Sequence, residues 1–266
     1  MDMQGTGPTV TDKNLLWTGG WDSTFRLLQA TVCDGATVQP HYVVDFNRRS
    51  LRCEMQAMAS IKEAVAARFP EARPRILPTL LYERCEIPVN EAIAASHQAL
   101  LKQSYLGWQY VWLASLAGWA SIPQLELAVH RDDLAHGFLS KIVSRGPDGS
   151  FAVSENAPSD AATLFRHFAF PILDMTKLGM AEVSARHGFS NVLELTWFCD
   201  NPDRHLRPCG ACGPCRYTID EGLARRVPAS KRARSKVASL LAPVRQRLPR
   251  MLGGKARRTR RIATQR

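Results

Sequence analysis

Lys13-Asn14-Leu15-Leu16-Trp17-Thr18-Gly19-Gly20-Trp21-Asp22-Ser23-Thr24-Phe25-Arg26-Leu27-Leu28 reads as a short apolar strand, a glycine turn and a helix. In an open parallel sheet ligands gather outside the carboxyl ends of the strands, and the first strand–helix turn faces that crevice. Two adjacent glycines let backbone N–H groups approach an anion, and the helix beginning near Ser23 adds its positive end. The hydroxyls of Thr18 and Ser23 can donate to phosphate oxygens. Asp22 is a poor phosphate ligand and is expected to orient Mg²⁺ or the loop. The Gly-Lys-Ser/Thr ending of a Walker loop and the three-glycine dinucleotide fingerprint are both missing. Trp17, Thr18, Gly19, Gly20, Asp22, Ser23 and Thr24 are therefore expected to bind a nucleotide, with a plain structural turn as the alternative.

Outward from this stretch, strands alternate with helices. Residues 39–46 form an expected second strand, 51–69 a helix and 75–80 a weaker third strand. Residues 88–103 and 108–120 are expected helices, 125–130 a strand, 144–160 a loop rich in Ser, Gly, Pro and Asp, and 176–187 an amphipathic helix. This order predicts an α/β fold of Rossmann-like type, a parallel sheet with helices on both faces. No internal repeat is visible.

Four of the seven cysteines follow as Cys199 and then Cys209-Gly210-Ala211-Cys212-Gly213-Pro214-Cys215. Two successive gaps of two residues let thiolates converge on one ion, and zinc is the default because it accepts four sulfur ligands. An iron–sulfur cluster, or thiols that are unligated or paired as disulfides, are the alternatives. Cys33, Cys53 and Cys85 lack such spacing and read as small apolar side chains.

The chain has 266 residues, 45% hydrophobic and 22% charged, as expected of one folded domain with extensions. Its net charge of +11 is unevenly placed. No acidic residue follows Glu221, and residues 225–266 hold 15 of the 35 Lys and Arg, which leaves the rest at a formal −4. The expected layout is an extension over 1–12, a folded domain over 13–225 with the cysteine segment 199–215, and a basic flexible tail over 226–266. Within the tail Val237, Leu240, Leu241, Val244, Leu248 and Met251 recur at roughly helical spacing. The tail suits nucleic acid, an anionic membrane face or an acidic partner protein, or else is a solvated end. No membrane span and no secretion signal are visible, so a cytoplasmic location and, by default, a homodimer are expected.

The stretch Thr18 to Thr24 resembles the PP-loop of the ATP pyrophosphatases, usually Ser-Gly-Gly-x-Asp-Ser. With the Cys…Cys-Gly-x-Cys-x-x-Cys-Arg finish it resembles the QueC family, 7-cyano-7-deazaguanine synthases, over about residues 13–225. Asp45-Phe46-Asn47-Arg48-Arg49 with Glu54 resembles that family's Asp-Tyr-Gly-Gln-Arg-His segment and following glutamate. Pro171-Ile172-Leu173-Asp174-Met175-Thr176-Lys177 resembles its Pro-Leu…Thr-Lys stretch. The resemblance implies an ATP-dependent carbon–nitrogen ligase. A carboxylate such as 7-carboxy-7-deazaguanine is adenylated, pyrophosphate leaves, and ammonia or an amine traps the acyl-adenylate as amide and then nitrile. It implies ATP with Mg²⁺ and a structural zinc on Cys199, Cys209, Cys212 and Cys215 that holds the carboxyl-terminal segment beside the crevice. Asp22, Ser23, Lys177 and Arg48 are the implied catalytic residues, with Arg49 beside Arg48 and Asp45 near the nucleotide sugar.

Two family segments differ. Val-Pro-x-Arg-Asn is replaced by Tyr105-Leu106-Gly107-Trp108-Gln109, and an acidic patch followed by Tyr-Pro-Asp-Cys-Arg is replaced by His130-Arg131-Asp132-Asp133-Leu134-Ala135-His136-Gly137. His130 and His136 are read as loop residues, with ligand contacts as the alternative, and Asp132 and Asp133 as a turn or as ligands of base or metal. A relative that conjugates a deazapurine to a protein in antiphage defence, a PP-loop enzyme of tRNA modification, and a non-catalytic nucleotide-binding scaffold are the rival readings.

Overall fold

The computed structural model describes residues 11–232, and the expected amphipathic segment of the tail lies outside them. The chain divides into two compact units between Pro208 and Cys209. The first unit carries strands β1 (Lys13–Leu16), β2 (Val38–Val44), β3 (Leu80–Glu83), β4 (Leu125–Glu126), β5 (Val143–Arg145), β6 (Phe151–Val153) and β7 (Phe168–Phe170). Its helices are α1 (Trp21–Leu28), α2 (Leu51–Arg68), α3 (Glu91–Leu100), α4 (Gln109–Trp119), α5 (His136–Leu139), α6 (Ser159–Phe165), α7 (Lys177–Arg186) and α8 (Ser190–Leu193). The second unit carries α9 (Gly213–Thr218).

The sheet runs β3-β2-β1-β4-β7-β6-β5. β3, β2, β1, β4 and β7 are parallel, whereas β6 pairs antiparallel with β7 and β5 antiparallel with β6. After β1 the chain builds outward through β2 to β3, then returns to place β4 on the other side of β1. The strand order thus reverses between β1 and β4, where the crossovers part and leave a crevice.

Alternation along the strands sends neighbouring residues to opposite layers. Leu125 and Val43 join an apolar cluster with α3, α4 and α6, through residues such as Leu100, Leu113 and Phe165. Glu126 bonds instead to Arg26 of α1, and Tyr42 to Glu54 of α2. On that second layer α8 packs against α1, α2 and α7. Helices therefore flank a mostly parallel sheet, with an antiparallel hairpin at one edge that the sequence did not announce.

That hairpin corrects the expected loop over 144–160. Loop remains over 154–158, before α6, and at the hairpin tip, where Gly146 N–H donates to Ser150 O at 2.7 Å, Asp148 Oδ1 accepts from Ser150 N–H and Gly149 takes φ +80°. The third strand is also displaced. Residues Arg73–Arg75 wind a 3₁₀ turn around Pro74, Ile76 makes a single bridge to Val38, and pairing resumes only past Pro78, at Leu80. The fourth ends at Glu126 because Val129 N–H turns back onto Leu127 O at 2.8 Å. Among the described residues no helix is long and apolar enough to cross a membrane.

Candidate functional site at the strand ends

The glycine loop follows β1 directly. Gly19 takes φ +68°, a conformation that a side chain disfavours, and a Cβ there would lie 3.0 Å from Met58 Cγ and 3.1 Å from Glu54 O of α2. Glycine is thus required twice over, by backbone conformation and by the close approach of α2. Gly20 is the N-cap of α1, so Trp21, Asp22 and Ser23 occupy its first turn. Amides of a first helical turn have no acceptor four residues earlier in the helix and are available to an anion.

Beneath the loop, the Trp17 indole N–H donates to Thr24 Oγ1 at 3.0 Å, and both side chains are fully buried. Their side chains therefore support the loop from inside and do not present themselves to a ligand. Thr18 N–H donates to Ser23 Oγ at 3.3 Å, and the Thr18 and Ser23 hydroxyls lie 3.3 Å apart, tying the two ends of the loop together. Gly19 O accepts from Trp197 N–H at 2.8 Å.

Two further strand ends bring residues to Asp22. Lys177 opens α7, the helix after β7, behind the cap Thr176 whose Oγ1 accepts from Gly179 N–H at 3.1 Å. Its ammonium donates to Asp22 Oδ1. His130, four residues past the end of β4, places Nε2 at 3.7 Å from the same Asp22 oxygen and 3.8 Å from Asp133 Oδ1, with only 3% of its side chain exposed. Its Nδ1 accepts from the Asp132 N–H at 3.2 Å, so the proton of the neutral ring sits on Nε2 and faces the two carboxylates. The His130 N–H in turn donates to Asp133 Oδ2 at 3.0 Å.

Asp133 keeps 42% of its side chain exposed, yet its carboxyl is held above the usual range. Burial of the rest of the group is the chief cause; the Asp22 charge adds to it, and His130 and Lys177 oppose it. Tyr110, in the first turn of α4, feels the Asp133 charge, but burial is the larger reason that its hydroxyl titrates well above the ordinary range. Two carboxylates, an ammonium and an imidazole thus share one crevice beside a turn suited to anions, and the group can bind phosphate, hold a cation or move a proton.

The residues after β2 are arranged differently. Asp45 Oδ1 accepts from Asn47 N–H at 2.9 Å and shapes the turn. Arg48 pairs with Glu54 at 2.9 Å, and Glu54 also accepts from Ser50 Oγ at 2.6 Å and from Tyr42 Oη at 2.7 Å. Arg48 is thereby committed to the buried carboxylate of Glu54, whose backbone carbonyl lies close to Gly19, and is not gathered with Asp22, Lys177 and His130. Arg49 is exposed. Thr18, Gly19, Gly20, Asp22, Ser23 and Lys177 are brought together as the sequence expected. His130 and Asp133 also belong to the group; the sequence left each as a loop or turn residue or a ligand contact, since a lone histidine and an aspartate pair in a loop carry no spacing signal.

The four thiol sulfurs of Cys199, Cys209, Cys212 and Cys215 all lie within 4.8 Å of one another and could hold a metal ion such as zinc. The separation of Cys209 Sγ and Cys215 Sγ, 3.9 Å, fits the spacing of about 3.8 Å between sulfurs of a tetrahedral zinc site. Cys209 Sγ accepts from the N–H groups of Ala211 at 3.4 Å and Cys212 at 3.3 Å. Gly210, between these ligands, takes φ +76°, and a Cβ there would meet Lys231 O at 2.6 Å. Compared with known proteins, the chain matches no family model and no curated sequence.

Proposed function

We propose that the chain binds ATP at the Gly19–Ser23 turn and uses it to activate a carboxylate, in the manner of the QueC-like PP-loop ligases that its motifs resemble. The strand order, reversing beside β1, supports a Rossmann-like reading of the sheet. The observation that carries the proposal is the meeting of Asp22, His130 and Lys177, each from the carboxyl end of a different parallel strand, beside a glycine turn that opens a helix.

In this reading the first amides of α1 take the triphosphate, and Lys177 moves from Asp22 onto the β- and γ-phosphates that leave as pyrophosphate. Mg²⁺ held by Asp22 would supply further charge neutralisation. A carboxylate oxygen of the substrate, such as 7-carboxy-7-deazaguanine, forms a bond to the α-phosphorus, and the bond from that phosphorus to pyrophosphate breaks. Ammonia or an amine then attacks the acyl carbon, AMP leaves with the electron pair, and a proton is lost from nitrogen. The Asp133 carboxylate, beside the Nε2–H of His130, is the group that would receive that proton. The four-cysteine site, with all its ligands from the protein and no open position, suits a structural zinc.

Carboxylate-dependent exchange of labelled pyrophosphate into ATP tests this. Exchange with 7-carboxy-7-deazaguanine, reduced about 100-fold in D22N and in K177A, is the expected outcome. Running the forward reaction with ammonia and with a candidate acceptor protein then assigns the nitrogen donor. Neither exchange nor AMP formation with any aromatic carboxylate would overturn the proposal.

A further inference from the structure

The crevice rests on an ion pair that its chemistry does not use. Arg26, on α1, donates from Nε to Glu126 Oε2 at 2.8 Å and from Nη2 to Glu126 Oε1 at 2.9 Å, a two-pronged contact onto β4. Arg26 is 6% exposed and Glu126 2% exposed. Nη1 of Arg26 also reaches Gln29 Oε1 at 3.0 Å and Asp34 Oδ2 at 3.4 Å, so the guanidinium is held on both sides. Burial opposes the Arg26 charge, but the hydrogen bond and charge of Glu126, with the Asp34 charge, more than offset it.

Placing charges here is costly for folding. Glu126 lies on a strand with neighbours on both sides, and Arg26 lies among the buried Phe25, Leu27 and Leu28. Well-packed apolar side chains commonly replace a buried ion pair with no loss of stability. What apolar packing does not supply is a fixed rotational and axial setting, which two parallel N–H···O bonds do.

The placement shows what that setting controls. Asp22 is four residues before Arg26 on α1, one turn away on the same face. His130 is four residues after Glu126 along the chain leaving β4. The Arg26–Glu126 contact and the Asp22–His130 approach therefore join the same two segments, one deep in the layer and the other in the crevice.

We propose that Arg26 and Glu126 are positioning residues, whose paired hydrogen bonds set α1 against β4 so that Asp22 meets His130. Neither touches the ligand. The assignment of ATP to the crevice rests on the preceding reading, whereas the positioning of His130 does not.

The test uses the full chain with Arg26→Met and Glu126→Met together, a change expected to leave the melting temperature at or above the wild-type value. Histidine ring nitrogens are observed by ¹⁵N NMR, with the His130 signals assigned by their loss in H130N, and binding of Mg²⁺–ATP is measured by calorimetry. The expected result is a displaced or broadened His130 pair, unchanged His41 signals and at least tenfold weaker ATP binding. Wild-type His130 signals in the folded double variant would overturn the proposal. If the wild-type chain binds no ATP, the nucleotide reading fails and the His130 signals alone decide. If the double variant does not fold, E126Q, which keeps shape and loses charge, is read by the same signals and the same criterion.

Discussion

His41 sits on β2, beneath the layer of α3 and α4, and both its ring nitrogens have partners. Nε2 is 3.1 Å from Asn14 Oδ1 and Nδ1 is 3.0 Å from Tyr82 Oη. Asn14 donates its amide N–H to Pro123 O at 3.1 Å, which leaves its oxygen to accept, so His41 donates from Nε2 and accepts the Tyr82 hydroxyl at Nδ1. The ring is complete when neutral, and burial lowers its pKa to about 4. The unfolded chain takes up this proton near pH 6.5, so below that pH the unfolded state binds more protons than the folded one. Stability is therefore full above about pH 6.5 and falls by roughly 3 kcal/mol as the pH drops to about 4. Urea unfolding at pH 7 and pH 4.5 should show this fall, and His41→Gln should flatten it; an unchanged slope in the variant would assign the pH dependence elsewhere. Gly19 makes the other argument at this scale. Gly19→Ala combines a positive φ with two close contacts from α2, and is expected to cost about 1–3 kcal/mol and to abolish ATP binding in the protein that remains folded. A variant that melts with the wild type and still binds ATP would show that the turn relaxes without harm.

At the level of elements, what the sequence announced depended on how many residues each signal occupied. The helices α2, α4 and α7 lie within a residue or two of their expected bounds, because ten or more residues of apolar periodicity leave little ambiguity. β5, β6 and β7 have three residues each, too few for alternation to register, and the Gly146-Pro147-Asp148-Gly149 tip made their surroundings read as a loop. The same limit governs the site. Gly19, Gly20 and Asp22 were legible because a turn and the start of a helix are local, whereas Lys177 became a candidate only through resemblance. His130 could not be placed without knowing that β4 lies beside β1. Gly210 shows a local position with a distant constraint: it lies between two metal-spaced cysteines, but the contact that forbids a side chain comes from Lys231, 21 residues later. Gly210→Ala is therefore expected to lower zinc affinity at least tenfold in a competition titration with a chromophoric chelator, and undiminished affinity would show that the Lys231 segment yields.

For the molecule as a whole, the two units are held by different physics. The first buries aromatic and aliphatic side chains from both faces of its sheet and resembles an ordinary core in composition. The described part of the second, residues 209–232, has little to bury: Cys215 and Val227 are its buried apolar side chains, and α9 spans only Gly213–Thr218. A segment of this size does not bury enough apolar surface to offset its ordering entropy, and small units of that kind rely on disulfides, a metal or a partner. No disulfide joins the cysteines among the described residues, so the metal is the candidate. The purified chain is accordingly expected to carry one zinc, and Cys212→Ser to lose most of it. Removing the ion should increase hydrogen exchange across residues 209–232 while the amides of β1, β2 and β4 stay protected, because their stability comes from the sheet's own core. Exchange over 209–232 that is already fast with zinc bound, or unchanged after its removal, would mean that the four thiols do not organise this unit through a metal.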